Sequence, residues 1–303
     1  NTGFEVTLES TNIQNKNFTW SSSFNIAFNK NKILSLNYGQ EQMTSYISWD
    51  QKFRNQIAYV SRVGESAGKM YGFVYDGTYK EEDFNITVNE NGKKTYELKP
   101  GVPKFKDGCQ PGDPKYKNID GSEDNLITDN DRTVIGNGHP LHTGGFTNNF
   151  VYKNWDLNIF LQWSYGNDVF NVNRLVMENP GAKKQLNQFA SYKNRWSESN
   201  PTSNIPRVRA VGADEYSSLY VEDGSFLKLK TISLGYNFDT KTLKRIGLSA
   251  ARVFVSAENI ATITGYSGSD PEVSTRHSVL TPGFDWSAYP RAFNASLGVN
   301  VTF

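Results

Sequence analysis

The densest run of metal-type ligands in the chain is NIDGSEDNLITDND, residues 118 to 131. Hard cations such as calcium take six to eight oxygens, and an acidic loop with a glycine for its turn supplies them from spaced positions. Asp120, Asp124, Asp129 and Asp131 are the expected ligands of a structural calcium ion. The competing expectation is a solvated acidic turn without an ion. On either reading the segment holds a loop and performs no reaction.

Other chemistry finds little support. His139 and His142 sit three apart in HPLH, but Pro140 opposes the helix that would put both on one face, so zinc is not expected. His277 is isolated. No Ser, Cys or Thr stands in a nucleophile motif, and the GGF at 144 is too short for a phosphate loop. The acid pairs Glu81-Glu82 and Glu222-Asp223 have the composition of a glycosidase couple, a chemistry decided by separations in space that the sequence does not contain. No catalytic residue is assigned, and the chain is not expected to be an enzyme. Tyr192, Trp196, Tyr216, Tyr220, Tyr266, Trp286 and Tyr289 offer flat rings that would stack on sugars or on a partner, or else pack among themselves.

The elements that would position these groups read as strands. Aromatics make up 14% of 303 residues, yet mean hydropathy is low at -0.58, with no apolar run of the length a membrane helix needs. Charges are dispersed around a net +1, which leaves no electrostatic footprint for nucleic acid. The one cysteine, Cys109, cannot make an intrachain disulfide. Period-two alternation predicts seven strands: 3–11, 17–29, 144–153, 155–165, 225–238, 251–259 and the C-terminal segment 292–303. In the strand 17–29, Phe18, Trp20, Phe24, Ile26 and Phe28 fall on one face. In 155–165 only Phe160 breaks the polar face, and the alternation of 225–238 changes phase near Lys230.

The predicted connections are short, long, short, long, short, long, the long ones being about 30–143, 166–224 and 260–291. Structureless loops of such length are uncommon in compact domains. Outer-membrane barrels sort their connections this way, with short periplasmic turns, long extracellular loops and strands apolar outside and polar inside. Aromatics near strand ends, among them Trp155, Trp163 and Phe303, suit interfacial girdles. The fold expected is all-β, an antiparallel transmembrane barrel segment. A soluble carbohydrate-binding β-sandwich and a passive porin-type channel are the alternatives.

Several blocks, in order, resemble the C-terminal part of SusC/RagA-type TonB-linked outer-membrane transporters of Bacteroidetes. They include NFTWSSSFNIAFNKNKILSL from residue 17, YGFVYDG at 71–77, GGFTNNFVYKNWDLNIFLQWSYGNDVFN at 144–171, VEDGSFLKLKTISLGYNF at 221–238, YSGSDPEVS at 266–274 and PGFDWSAYPR at 282–291. The resemblance implies about seven C-terminal strands of a 22-stranded barrel with a plugged lumen. The signal peptide, TonB box and plug are then expected to lie outside this chain. It further implies location in the outer membrane, import of an oligosaccharide or peptide, and a SusD-like surface lipoprotein as partner. The remainder of the barrel and plug, TonB acting through that plug, and outer-membrane lipid complete the expected partners. Val299, Val301 and Phe303 match the terminal-strand signal read by the barrel-assembly machinery in that family. The family's acidic loop is a shorter DxNGDGxIxxxD-like sequence, and the insertion here, with Asn118 in place of an acid, disturbs ligand spacing. No cofactor is otherwise implied.

Overall fold

A computed structural model describes residues 1–179, 185–275 and 278–303. Seven long strands form one antiparallel sheet in chain order: β1 (Thr2–Gln14), β2 (Phe18–Lys30), β3 (His142–Tyr152), β4 (Trp155–Tyr165), β5 (Phe226–Asn237), β6 (Ala250–Thr264) and β7 (Asn294–Thr302). The seven alternating strands thus pair side by side in one sheet and do not divide into the two facing sheets of a sandwich. The connections β1–β2, β3–β4 and β5–β6 all lie at one end. The first is an Asx turn in which the Asn15 side chain accepts from the amides of Asn17 and Phe18; Lys153, at φ 53°, makes the second. The third carries the short helix Thr240–Lys244, capped by Asp239.

One row of the outer face is apolar across the whole width of the sheet, although the adjacent row carries Ser10, Ser22 and Asn148 on its first three strands. Ile13, Trp20, Phe150, Leu157, Leu234, Val255 and Leu297 are successive cross-strand partners on one face. Aromatic rows flank this apolar band. Phe18, Tyr152, Trp155 and Tyr236 are cross-strand neighbours at the short-turn end. At the other end His142 lies between Phe28 and Tyr165, 5.4 and 5.1 Å away between ring centres. The phase change expected near Lys230 is a bulge. The register slips between Phe160 and Leu161 on β4, and between Leu229 and Thr231 against β6. One unpaired residue there returns Leu227 and Leu229 to the face of Ile232 and Leu234, so the apolar band continues unbroken.

The three longer connections fold over the opposite face as one body with its own core. Tyr59, Phe170, Tyr216 and Phe284, all fully buried, bring the three segments together. The Phe170 amide donates to the Gly283 carbonyl, and the Phe73 amide to the Tyr216 carbonyl. Short strands Gln42–Tyr46, Ile57–Arg62, Lys69–Phe73 and Arg132–Asn137 form a four-stranded sheet within this body.

Candidate functional site

The inward face of the wall is hydrophilic along a complete row. Thr11, Ser21, Asn149, Asn158, Ser233, Ser256 and Ser296 are cross-strand partners from β1 to β7. Asn158 donates its amide to Asn149 Oδ1 at 2.6 Å, and the Ser256 and Ser296 hydroxyls are 2.8 Å apart. Every member is an uncharged hydroxyl or amide, so the row offers both donors and acceptors to a polar solute and holds no fixed charge against it. Toward the short-turn end, Arg252 grips Asp156 through two nitrogens, at 2.6 and 3.2 Å.

Four strand glycines have a local cause. A Cβ on Gly145 would meet the Phe160 ring at 2.9 Å, and one on Gly298 would meet the Phe254 ring at 2.3 Å. On the outer face Gly144 lies under Trp163. The Arg252 guanidinium covers Gly235 and lies 4.9 Å from the Phe254 ring centre. A large side chain laid over a neighbouring strand's glycine covers backbone and fixes register. Phe160, which breaks the polar pattern of β4, is therefore seated on Gly145.

Where the inner wall meets the loop body, the Lys228 ammonium is only 2% exposed and contacts Asp270, at 3.3 Å, and Glu272. Lys230 and Arg291 approach the same Glu272, at 3.8 and 3.5 Å. Burial opposes ionisation of Asp270, but the amides of Glu272 and Arg291 and the Lys228 charge outweigh it and hold the carboxyl below its ordinary range. This network ties the segment between β6 and β7 to β5.

The acidic stretch is a hydrogen-bonded turn. Asp131, fully buried, accepts from the Ile119 and Asp120 amides with Oδ1, at 2.7 and 3.1 Å, and from Thr128 N with Oδ2, at 2.8 Å. Asp120 accepts from Ser122 N and Asp124 from Leu126 N, while Asp129 pairs with Arg132. Among the described residues no three acidic, histidine or cysteine groups converge as a metal set.

The remaining candidates are placed apart or packed. His139 Nε2 lies 3.1 Å from the Ala67 carbonyl, whereas His142 Nδ1 lies 3.1 Å from Trp163 Nε1. His277 is outside the described residues. Glu222 is bound by Arg174 at 3.1 Å and by the Ser267 amide at 2.8 Å. Burial would raise its carboxyl, yet these partners hold it below the ordinary range. Glu81 pairs with Lys94. Tyr192, Tyr216, Tyr220 and Tyr266 are buried, and Trp286 lies 4.6 Å from Trp49 between ring centres. Of the seven loop aromatics, Tyr289 alone is largely exposed, at 91%. Val299 and Val301 are exposed on the outer side of β7, an edge strand of the described sheet, and Phe303 is exposed just past its end.

No family model matches the chain. It is 33% identical over its whole length to TonB-dependent receptor P3 of Formosa agariphila, covering 28% of that protein. It is 28% identical, again over its whole length, to TonB-dependent receptor SusC of Bacteroides thetaiotaomicron, covering 26% of it. The fold matches the structure of the RagAB peptide transporter at a TM-score of 0.71, with 22% identity, over 99% of this chain and 29% of that one. The RagAB peptide importer in its closed-closed state matches at 0.69. The chain thus spans between about a quarter and a third of the length of the curated relatives it matches.

Proposed function

The chain belongs to the SusC/RagA-type TonB-linked outer-membrane transporters, as a segment of their barrel, and from that premise we propose that it supplies wall and lumen lining to an energised importer of a large nutrient. The carrying observation is the pair of rows spanning seven strands, apolar outside and neutral polar inside. Hydrocarbon covers the first, which is apolar in every one of the seven strands. The second presents hydroxyls and amides to a solute rich in its own hydroxyl or amide groups, which suits an oligosaccharide or a peptide backbone. The edges of β1 and β7 are completed by the remainder of the barrel, because open edges in lipid leave backbone groups unsatisfied.

The packed body over the inward face is the extracellular end in this reading, and it offers its outer surface to a SusD-like lipoprotein. Val299, Val301 and Phe303 serve barrel assembly. TonB acts through a plug elsewhere in the full protein, and that energised step separates the importer from a passive porin. The test is detergent purification of the native membrane complex containing this chain, with its subunits identified by mass spectrometry. A longer transporter continuous with Asn1, together with a surface lipoprotein, is the expected result. Extraction as a soluble chain without detergent would sink the reading.

A further inference from the structure

At the loop end of β1 and β2 a cavity of about 670 Å³ opens between the strand ends and two segments of the loop body, 64–69 and 137–141. Its apolar lining comes from Phe4, Phe28 and Leu141, of which Leu141 is 63% exposed. Phe4 and Phe28 are cross-strand partners on the outer face, so this lining continues the apolar band. The next outward residue of β2 is Lys30, opposite Thr2. Lys30, Lys32 and Lys69 all line the cavity, facing a single acid, Glu65. Lys69 is paired with Glu65 at 3.0 Å, while Lys30 and Lys32 have no ion-pair partner among the described residues. His139 is already engaged with the Ala67 carbonyl.

Three lysines against one glutamate leave two cations unbalanced at the mouth of an apolar recess, at the depth where membrane-facing strands end. The recess is within the size range of small-molecule sites. Two exposed ammonium groups attract an anion only weakly in water, but an alkyl chain laid on Phe4 and Phe28 adds burial to that attraction. A neutral amphiphile would leave both charges unanswered, and a free anion would leave the apolar lining wet.

We propose that this cavity binds a membrane amphiphile with a phosphate-type anionic head, its head on Lys30 and Lys32 and its chain along Phe4 and Phe28. The proposal rests on the assignment of the apolar face to lipid. The experiment uses the full-length transporter containing this chain, purified in neutral detergent, with dodecyl phosphate as probe and native mass spectrometry as readout. Inorganic phosphate and dodecyl maltoside are the comparison probes. Dodecyl phosphate is expected to bind, and K30E/K32E to weaken it roughly tenfold or more. K30R/K32R keeps the charge and is expected to retain binding. Equal binding by K30E/K32E and the wild type, or displacement of the probe by inorganic phosphate at equal concentration, would overturn the proposal. Outer-membrane insertion of each variant, scored by the heat-dependent mobility shift of barrels on gels, is read separately. A failure of binding with insertion intact therefore counts against the cavity and not against the barrel.

Discussion

The indole of Trp163 on β4 lies directly over Gly144 on β3, so close that a Cβ on the glycine would stand 2.2 Å from Cζ2 of the ring. Neither partner can change size alone. Gly144→Ala forces the indole off its seat, an overpacking that costs about 1–3 kcal/mol. The heat-dependent gel shift of the full barrel should move to lower temperature. An unchanged transition would show that the ring moves aside freely.

Lys228 is buried against two carboxylates, and removing one partner of such a group strands the others. Lys228→Met should destabilise the attachment of segment 265–293 by about 3–5 kcal/mol. Limited proteolysis should then cut between β6 and β7 while the wall strands stay intact. Resistance equal to the wild type would mean that Lys230 and Arg291 suffice to hold Glu272.

The loop body should loosen in acid. Asp270 and Glu222 are held in the folded state below their ordinary values of 3.8 and 4.5. The folded form therefore binds fewer protons than the unfolded chain, and its stability is complete above those values and lost as pH falls through and below them. Hydrogen exchange of the 214–223 and 266–275 backbone, followed from neutral pH to roughly pH 3 and corrected for intrinsic rates, should show protection falling only in acid. Constant protection would contradict the assigned partners.

Calcium is expected to leave the acidic turn unaffected. Chelator or added calcium should not shift the unfolding temperature, whereas Asp131→Asn should cost about 1–3 kcal/mol with or without the ion, through lost amide acceptors. A calcium-dependent shift abolished by that variant would instead show Asp120, Asp124, Asp129 and Asp131 to be a cation site.

The wall was legible because alternation is a local signal. Each of the seven strands is present near its predicted position, and the phase change at Lys230 marked a bulge that pairing across β4, β5 and β6 makes explicit. β6 runs past its predicted end at 259 to Thr264, since the second slip, at Asn259, interrupts the alternation but not the strand. The rows themselves were not legible, because half of their pairings join strands separated by the three long connections. Nor was the burial of Tyr216, whose neighbours Trp49, Phe53 and Phe170 come from distant segments. The lysine-lined cavity is likewise assembled from four segments far apart in the chain.

The shared core of the three connections has a mechanical meaning. Residues 31–141, 166–225 and 265–293 each leave the wall at one strand and return at the next, so the body they form stands on six struts. Because Tyr59, Phe170, Tyr216 and Phe284 interlock, none of the three can be lifted by itself. A displacement of that shared core therefore loads the ends of all three connections, on β2 through β7.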